Sequence, residues 1–167
     1  MKKIFLFFAA VAMTAGVMYA KDINQATEAY NNGAMELQMG NNAAAVENFK
    51  TALTMGEALG DEGADLVANC KKAISSAYLS MAKDLYNAKD FDGAVTAFQQ
   101  AKEVAEGYGE AEIAAEAGEL IGQTEMLKYN TAGKEAMKAK DYPTAIANFS
   151  KVLEMDPANG GVAIQLG

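Results

Sequence analysis

The chain has 167 residues, with 14 basic against 22 acidic for a net charge of −8, and it contains no His and no Trp. All 14 basic residues are Lys, so imidazole bases, histidine-ligated zinc, His-activated Ser or Cys nucleophiles and arginine clamps on phosphate are excluded together. The acidic balance argues against nucleic acid as a partner, and the single cysteine, Cys70, permits neither an internal disulfide nor a multi-thiolate metal site.

Residues 1–20 read MKKIFLFFAAVAMTAGVMYA: two lysines, an apolar stretch to about residue 17, then Met18-Tyr19-Ala20 ahead of Lys21-Asp22. This layout predicts a secretory signal peptide cleaved after Ala20. The apolar stretch is short for a bilayer span, which needs about 20 residues. The alternative is an uncleaved N-terminal anchor, favoured by the bulk of Met18 where a small residue is usual. No Cys follows the stretch, which excludes bacterial lipid attachment. Cleavage removes Lys2 and Lys3 and leaves residues 21–167 as one more acidic domain, exported to the periplasm or beyond the cell.

From Asp22 onward the chain is rich in Ala, Glu, Lys, Leu, Met and Gln, holds only two prolines, and lacks the alternating β-branched and aromatic runs of strands. It reads as all-α. Leu66, Cys70, Ile74, Ala77, Tyr78, Met81 and Leu85 recur at steps of mostly three and four, which puts them on one face of one long helix. Breaks fall at Met39-Gly40-Asn41-Asn42, Gly60-Asp61-Glu62-Gly63, Lys89-Asp90-Phe91-Asp92-Gly93, Gly107-Tyr108-Gly109, Lys140-Asp141-Tyr142-Pro143 and Asp156-Pro157-Ala158-Asn159-Gly160. Six helices and the start of a seventh are expected.

Three segments superpose. Ala45-Val46-Glu47-Asn48-Phe49, Ala94-Val95-Thr96-Ala97-Phe98 and Ala145-Ile146-Ala147-Asn148-Phe149 share Ala, a β-branched residue, two variable positions and Phe. Twelve residues before each Ala stands a small residue, Gly33, Ala82 or Gly133. Antiparallel helices approach closely only where a large side chain faces a small one, so each Phe is expected against its Gly or Ala. Four residues before the small residue stand Tyr78 and Tyr129, but Ala29 in the first copy.

These residues make the chain resemble the tetratricopeptide repeat family, whose helix-turn-helix units carry the same small, Ala and aromatic positions and end in a Pro, here Pro157 in the third copy alone. The resemblance implies an α-solenoid of helix hairpins, with units near 26–59, 75–108 and 126–159 and an incomplete fourth from 160. The Phe residues recur at 49 and 51 residues where the family repeats at about 34. The excess predicts elongated helices flanking each inter-unit turn, Leu53 and Leu59 facing the stripe from Leu66 to Ile74, and Val104 facing Ile113, Leu120 and Ile121. The chain stops at Leu166-Gly167, where the family places Leu-Gly inside the first helix of a further unit, so it reads as a fragment of a longer repeat protein; the alternative is a natural end whose last ten residues fray.

In the family, the first helices line a concave groove that holds a peptide. Carried over, that groove includes Tyr30, Ala34, Leu37 and Gln38, then Ser76, Ser80, Lys83, Tyr86 and Asn87, then Asn130, Lys134, Met137 and Lys138. Lys83, Asn87, Lys134 and Lys138 would stack into a basic strip suited to a partner's acidic segment or C-terminus, held by point charges alone. The first unit has Ala34 where the family's carboxylate clamp needs Asn. Such lysines are equally at home as solvated surface, and Tyr86 and Met137 as core.

Other fragments only imitate sites. Asp90-Phe91-Asp92-Gly93 lacks the later ligands of a calcium loop and reads as a helix start. Glu110 with Glu112, and Glu116 with Glu119, lack an apolar pocket to separate their pKa values. The expectation is a non-catalytic scaffold for protein–protein contact, without metal or cofactor. Its alternatives are a membrane-tethered or self-associating structural module, and an enzyme resting on Glu, Lys or Tyr.

Overall fold

The computed structural model describes residues 22–162; the expected signal segment, and Ile164 and Leu166 of the expected further unit, lie outside the described residues. Six α-helices follow in order: α1 (Ile23–Gln38), α2 (Asn42–Ala58), α3 (Ala64–Asn87), α4 (Phe91–Tyr108), α5 (Ala111–Lys138) and α6 (Tyr142–Met155). A 3₁₀ turn, Gly60–Gly63, joins α2 to α3, and helical backbone resumes at residues 160–162. No strand occurs among the described residues, and no described helix is long and apolar enough to cross a membrane. Each helix packs chiefly on its neighbours in sequence, and α3 also touches α5 and α1.

Three of the six described helices, α1, α4 and α6, start after an Asp. The side chain of Asp22 accepts from the Asn24 N–H at 2.8 Å, Asp90 from Gly93 at 3.0 Å and Asp141 from Thr144 at 3.3 Å, each satisfying a first-turn donor that the helix leaves unpaired. The fragment resembling a calcium loop is thus the cap of α4. Pro143 sits in the first turn of α6, where its missing N–H removes no helical bond.

The three hairpin turns share one geometry. Gly40, Lys89 and Lys140, at corresponding places after α1, α3 and α5, all have positive φ, of 80°, 63° and 60°. Their N–H groups donate to the carbonyls of Leu37, Tyr86 and Met137, and the next N–H groups, of Asn41, Asp90 and Asp141, reach back to Glu36, Leu85 and Ala136. This Schellman closure ties off the last carbonyls of each first helix and reverses the chain in three residues.

Inside each hairpin a Phe meets the small residue expected of it. A Cβ on Gly33 would lie 2.7 Å from the Phe49 ring, and one on Gly133 2.6 Å from Phe149, distances at which no methyl group fits. Ala82 shares a cluster with Phe98, and Ala45, Ala94 and Ala145 lie beside the same rings. The three Phe side chains are buried to 1% exposure or less. Just over half of the buried apolar residues are Ala, so each Phe contributes a large share of the apolar area its hairpin hides.

The residues beyond a standard repeat fall unevenly. The first helices grow from 16 residues in α1 to 24 in α3 and 28 in α5, while the second helices hold at 17, 18 and 14. Leu53 packs with Leu66, Cys70 and Ile74 as expected, and Leu59 lies at the edge of that cluster. Val104 packs with Tyr108 against this first cluster, and Ile113, Leu120 and Ile121 pack against the cluster that contains Phe98. The physical reason is that α4 lies between two elongated neighbours and its C-terminal half has a second face to bury. At the α2–α3 junction a Cβ on Gly63 would sit 2.0 Å from the Gly56 carbonyl oxygen, so backbone meets backbone there and only glycine fits.

Phe98→Ala is expected to destabilise by roughly 3 to 5 kcal/mol, and Gly133→Ala by roughly 1 to 3 kcal/mol through overpacking against Phe149, both read from urea melts of the helical circular-dichroism signal. Unchanged midpoints would refute the packing. Lys89→Gly and Lys140→Gly should each stabilise by about 1 kcal/mol, because glycine relieves the left-handed backbone at those turns. A loss of stability in both would show that the lysine side chains contribute more than their backbone costs.

Candidate functional site

The residues that the repeat resemblance nominates lie on α1, α3 and α5. Tyr30 and Leu37 pack against the first cluster, the Tyr30 ring 5.2 Å from that of Phe49, so both are partly core. Tyr86 is half-buried and meets Phe91 edge-on at 6.1 Å. Asn130 is half-buried, and its Oδ1 is enclosed without a hydrogen-bond partner. Asn87, Lys134, Met137 and Lys138 are exposed.

Lys83 is not a free cation: its Nζ lies 2.7 Å from Glu116 Oε1 near the start of α5. Lys134 and Lys138 stand 18 and 22 residues further along that helix, roughly 27 and 33 Å at the helical rise. Lys83 is therefore held toward one end of α5, and the other two lysines are at the opposite end. The 28 residues of α5 carry Lys134 past the level of the α3–α4 turn, since Lys128, six residues earlier, is already ion-paired with Asp92 in the first turn of α4. That bond to Asp92 also raises the Lys128 pKa above the ordinary lysine value.

A cavity opens elsewhere, between the N-terminal halves of α2 and α4, with α3 beneath. It is an open groove of about 1440 Å³. Tyr78, Met81 and Leu85 of α3 and Ala97 of α4 give it an apolar floor. One wall is the start of α2, with Asn41, Asn42, Ala43 and Ala44; the other is α4, with Asp92, Thr96 and Gln100. Asp84 and Asp90 complete the rim. Asn42 is 7% exposed, and its Nδ2 donates to Asp84 Oδ2 at 2.8 Å, which ties α2 to α3. Its Oδ1 is enclosed and accepts from no group in the protein.

Sequence reasoning did not find this groove, although the repeats contain a signal for it. In the superposition Asn42 corresponds to Phe91 and Tyr142. Phe91, at the corresponding place in the second hairpin, lines with Leu127 and Thr131 of α5 a smaller cleft of about 380 Å³. The first hairpin carries Asn followed by two alanines instead, and the space stays open.

The pKa shifts of Cys70 and Lys50 have identifiable causes. Burial pushes the Cys70 thiol up to about 11, in the direction away from a reactive thiolate. At Lys50, burial acts to lower the pKa, but Tyr78 and Glu47 outweigh it and the ammonium lies above its ordinary range, opposite to a lysine nucleophile. Glu112, Glu116 and Glu119 are exposed on α5. Among the described residues no group of His, Cys, Asp or Glu is arranged to hold a metal ion.

Because the folded Cys70 pKa is raised from 9.0 to about 11, the protonated thiol favours the folded state, and this contribution is present below about pH 9 and lost as pH rises to about 11. Cys70→Ser should flatten that part of the stability profile, and the native thiol should react with a disulfide reagent at pH 8 only as fast as the protein opens. Reaction at the rate of a free thiol would place Cys70 at the surface.

No protein-family model, curated protein or solved structure matches the chain.

Proposed function

We propose that this protein is an exported, non-catalytic helical-repeat scaffold that holds a segment of another protein. The observation that carries the reading is the groove along α2, α3 and α4: at about 1440 Å³ it exceeds the roughly 300 to 1,000 Å³ of small-molecule sites, and it is open rather than enclosed. An elongated ligand suits it better than a metabolite. The thrice-repeated turn, Asp cap or Asn start, and Phe packing support a tetratricopeptide-like solenoid, an architecture that presents extended surfaces between units. Export follows from the layout of residues 1–20, with a mature start at Lys21.

A self-associating structural module is the second reading, and a specific observation favours it. Met35 and Met39 at the end of α1 are 58% and 60% exposed, and Tyr142 and Ile146 on α6 are both 54% exposed. In the middle hairpin the residues corresponding to the latter pair, Phe91 and Val95, are half-buried. A second copy laid end to end would cover both patches.

The test places a photo-crosslinking amino acid at Thr96 in the groove, at Lys134 on α5, or at Ile146 on α6, in the chain expressed with its N-terminal segment, and identifies adducts and the mature N-terminus by mass spectrometry. A heterologous adduct from Thr96 or Lys134 is expected, on protein beginning at Lys21. Adducts to the same chain from Ile146 alone would favour the structural module, and a retained Met1 would refute cleavage.

A further inference from the structure

We infer that the groove between α2 and α4 receives a cationic segment of the partner protein, a lysine or arginine flanked by apolar side chains. This deepens the scaffold reading and rests on it. Three observations converge. Asp84, Asp90 and Asp92 line the groove and no lysine does. Each carboxylate has one recorded contact on a single oxygen, Asp84 with Asn42, Asp90 with the Gly93 N–H and Asp92 with Lys128, so acceptor capacity remains on all three. Asn42, 7% exposed, donates its Nδ2 to Asp84 Oδ2 at 2.8 Å and so holds that carboxylate at the groove.

The rest of the site has the same sense. Its floor, Tyr78, Met81 and Leu85, offers apolar contact to the stem of a long side chain or to its neighbours, as lysine and arginine stems take. Two lysines close to its lining residues are ion-paired: Lys50, 6.0 Å from the Tyr78 ring centre, with Glu47, and Lys128 with Asp92. A chain of net charge −8 also attracts a cationic partner at long range and repels an acidic one. The polarity is thus opposite to that expected of the Lys83, Lys134 and Lys138 strip.

The experiment uses the mature chain from Lys21 and three fluorescent synthetic peptides that alternate Leu with Lys, Glu or Ser, titrated by anisotropy at about 0.15 M salt. The Lys peptide is expected to bind about tenfold or more tightly than the Ser peptide. Ala44→Trp, an exposed position whose indole fills the groove, should weaken it by about tenfold or more with melting retained, and the double variant Asp84→Asn with Asp92→Asn should do so with helical content retained. On the unaltered protein, amide shifts induced by the Lys peptide should map to residues 41–44 and 93–97, a readout independent of any variant. Binding of the Lys peptide that ignores both variants, or shifts that map elsewhere, would overturn the inference as mere attraction to an acidic surface. Preferential binding of the Glu peptide, lost in Lys134→Glu, would overturn it while leaving the scaffold reading intact. No binding of any peptide by a chain that sediments as an oligomer would take both down.

Discussion

The fold depends on the close approach of two antiparallel helices, which is possible only where a residue with little or no side chain faces an aromatic ring. Gly33, Ala82 and Gly133 provide the recess, and Phe49, Phe98 and Phe149 fill it. Since alanine supplies much of the remaining core, the ring is the main apolar mass in each hairpin. The helices are close because their facing surfaces are small, and the small surfaces are stable together because one large side chain closes the gap.

Two local devices make that contact reachable from a growing chain. The left-handed residue at Gly40, Lys89 and Lys140 turns the backbone in the same way three times, and two of the three accept a strained conformation on a lysine to do so. Directly after it, Asp90 and Asp141 cap the next helix; the first hairpin has Asn41 there, whose side chain instead reaches Glu36. Turn, cap and ring thus specify the same hairpin at three levels, which is the agreement expected of a sequence with one preferred fold.

The same repetition shows where the hairpins differ. Phe91 at the start of α4 lines a cleft of about 380 Å³, and Asn42 at the start of α2 lines the groove of about 1440 Å³ above the apolar side of α3. Asn42 links to Asp84 across 42 residues, and Lys83 to Glu116 across 33. The first holds Asp84 at the groove, and the second pairs a lysine that the repeat resemblance assigned to a binding strip.

The amino-acid sequence by itself determined the all-helical architecture, the breaks, the capping of α4 and the three Phe-on-small contacts. All of these are set by periodicity and by pairs about sixteen residues apart, a separation fixed once a hairpin turn is recognised. The long first helices were legible as excess length, but their division was not: α5 took most of it, so Lys134 and Lys138 ran far from Lys83 along the same surface. Only the tertiary structure decided that Val104 faces the first cluster, that α2 and α4 stand apart over α3, and which aspartates border the space between them. The reason is that these depend on how hairpins of unequal length stack, through side chains more than thirty residues apart whose reach no local pattern encodes.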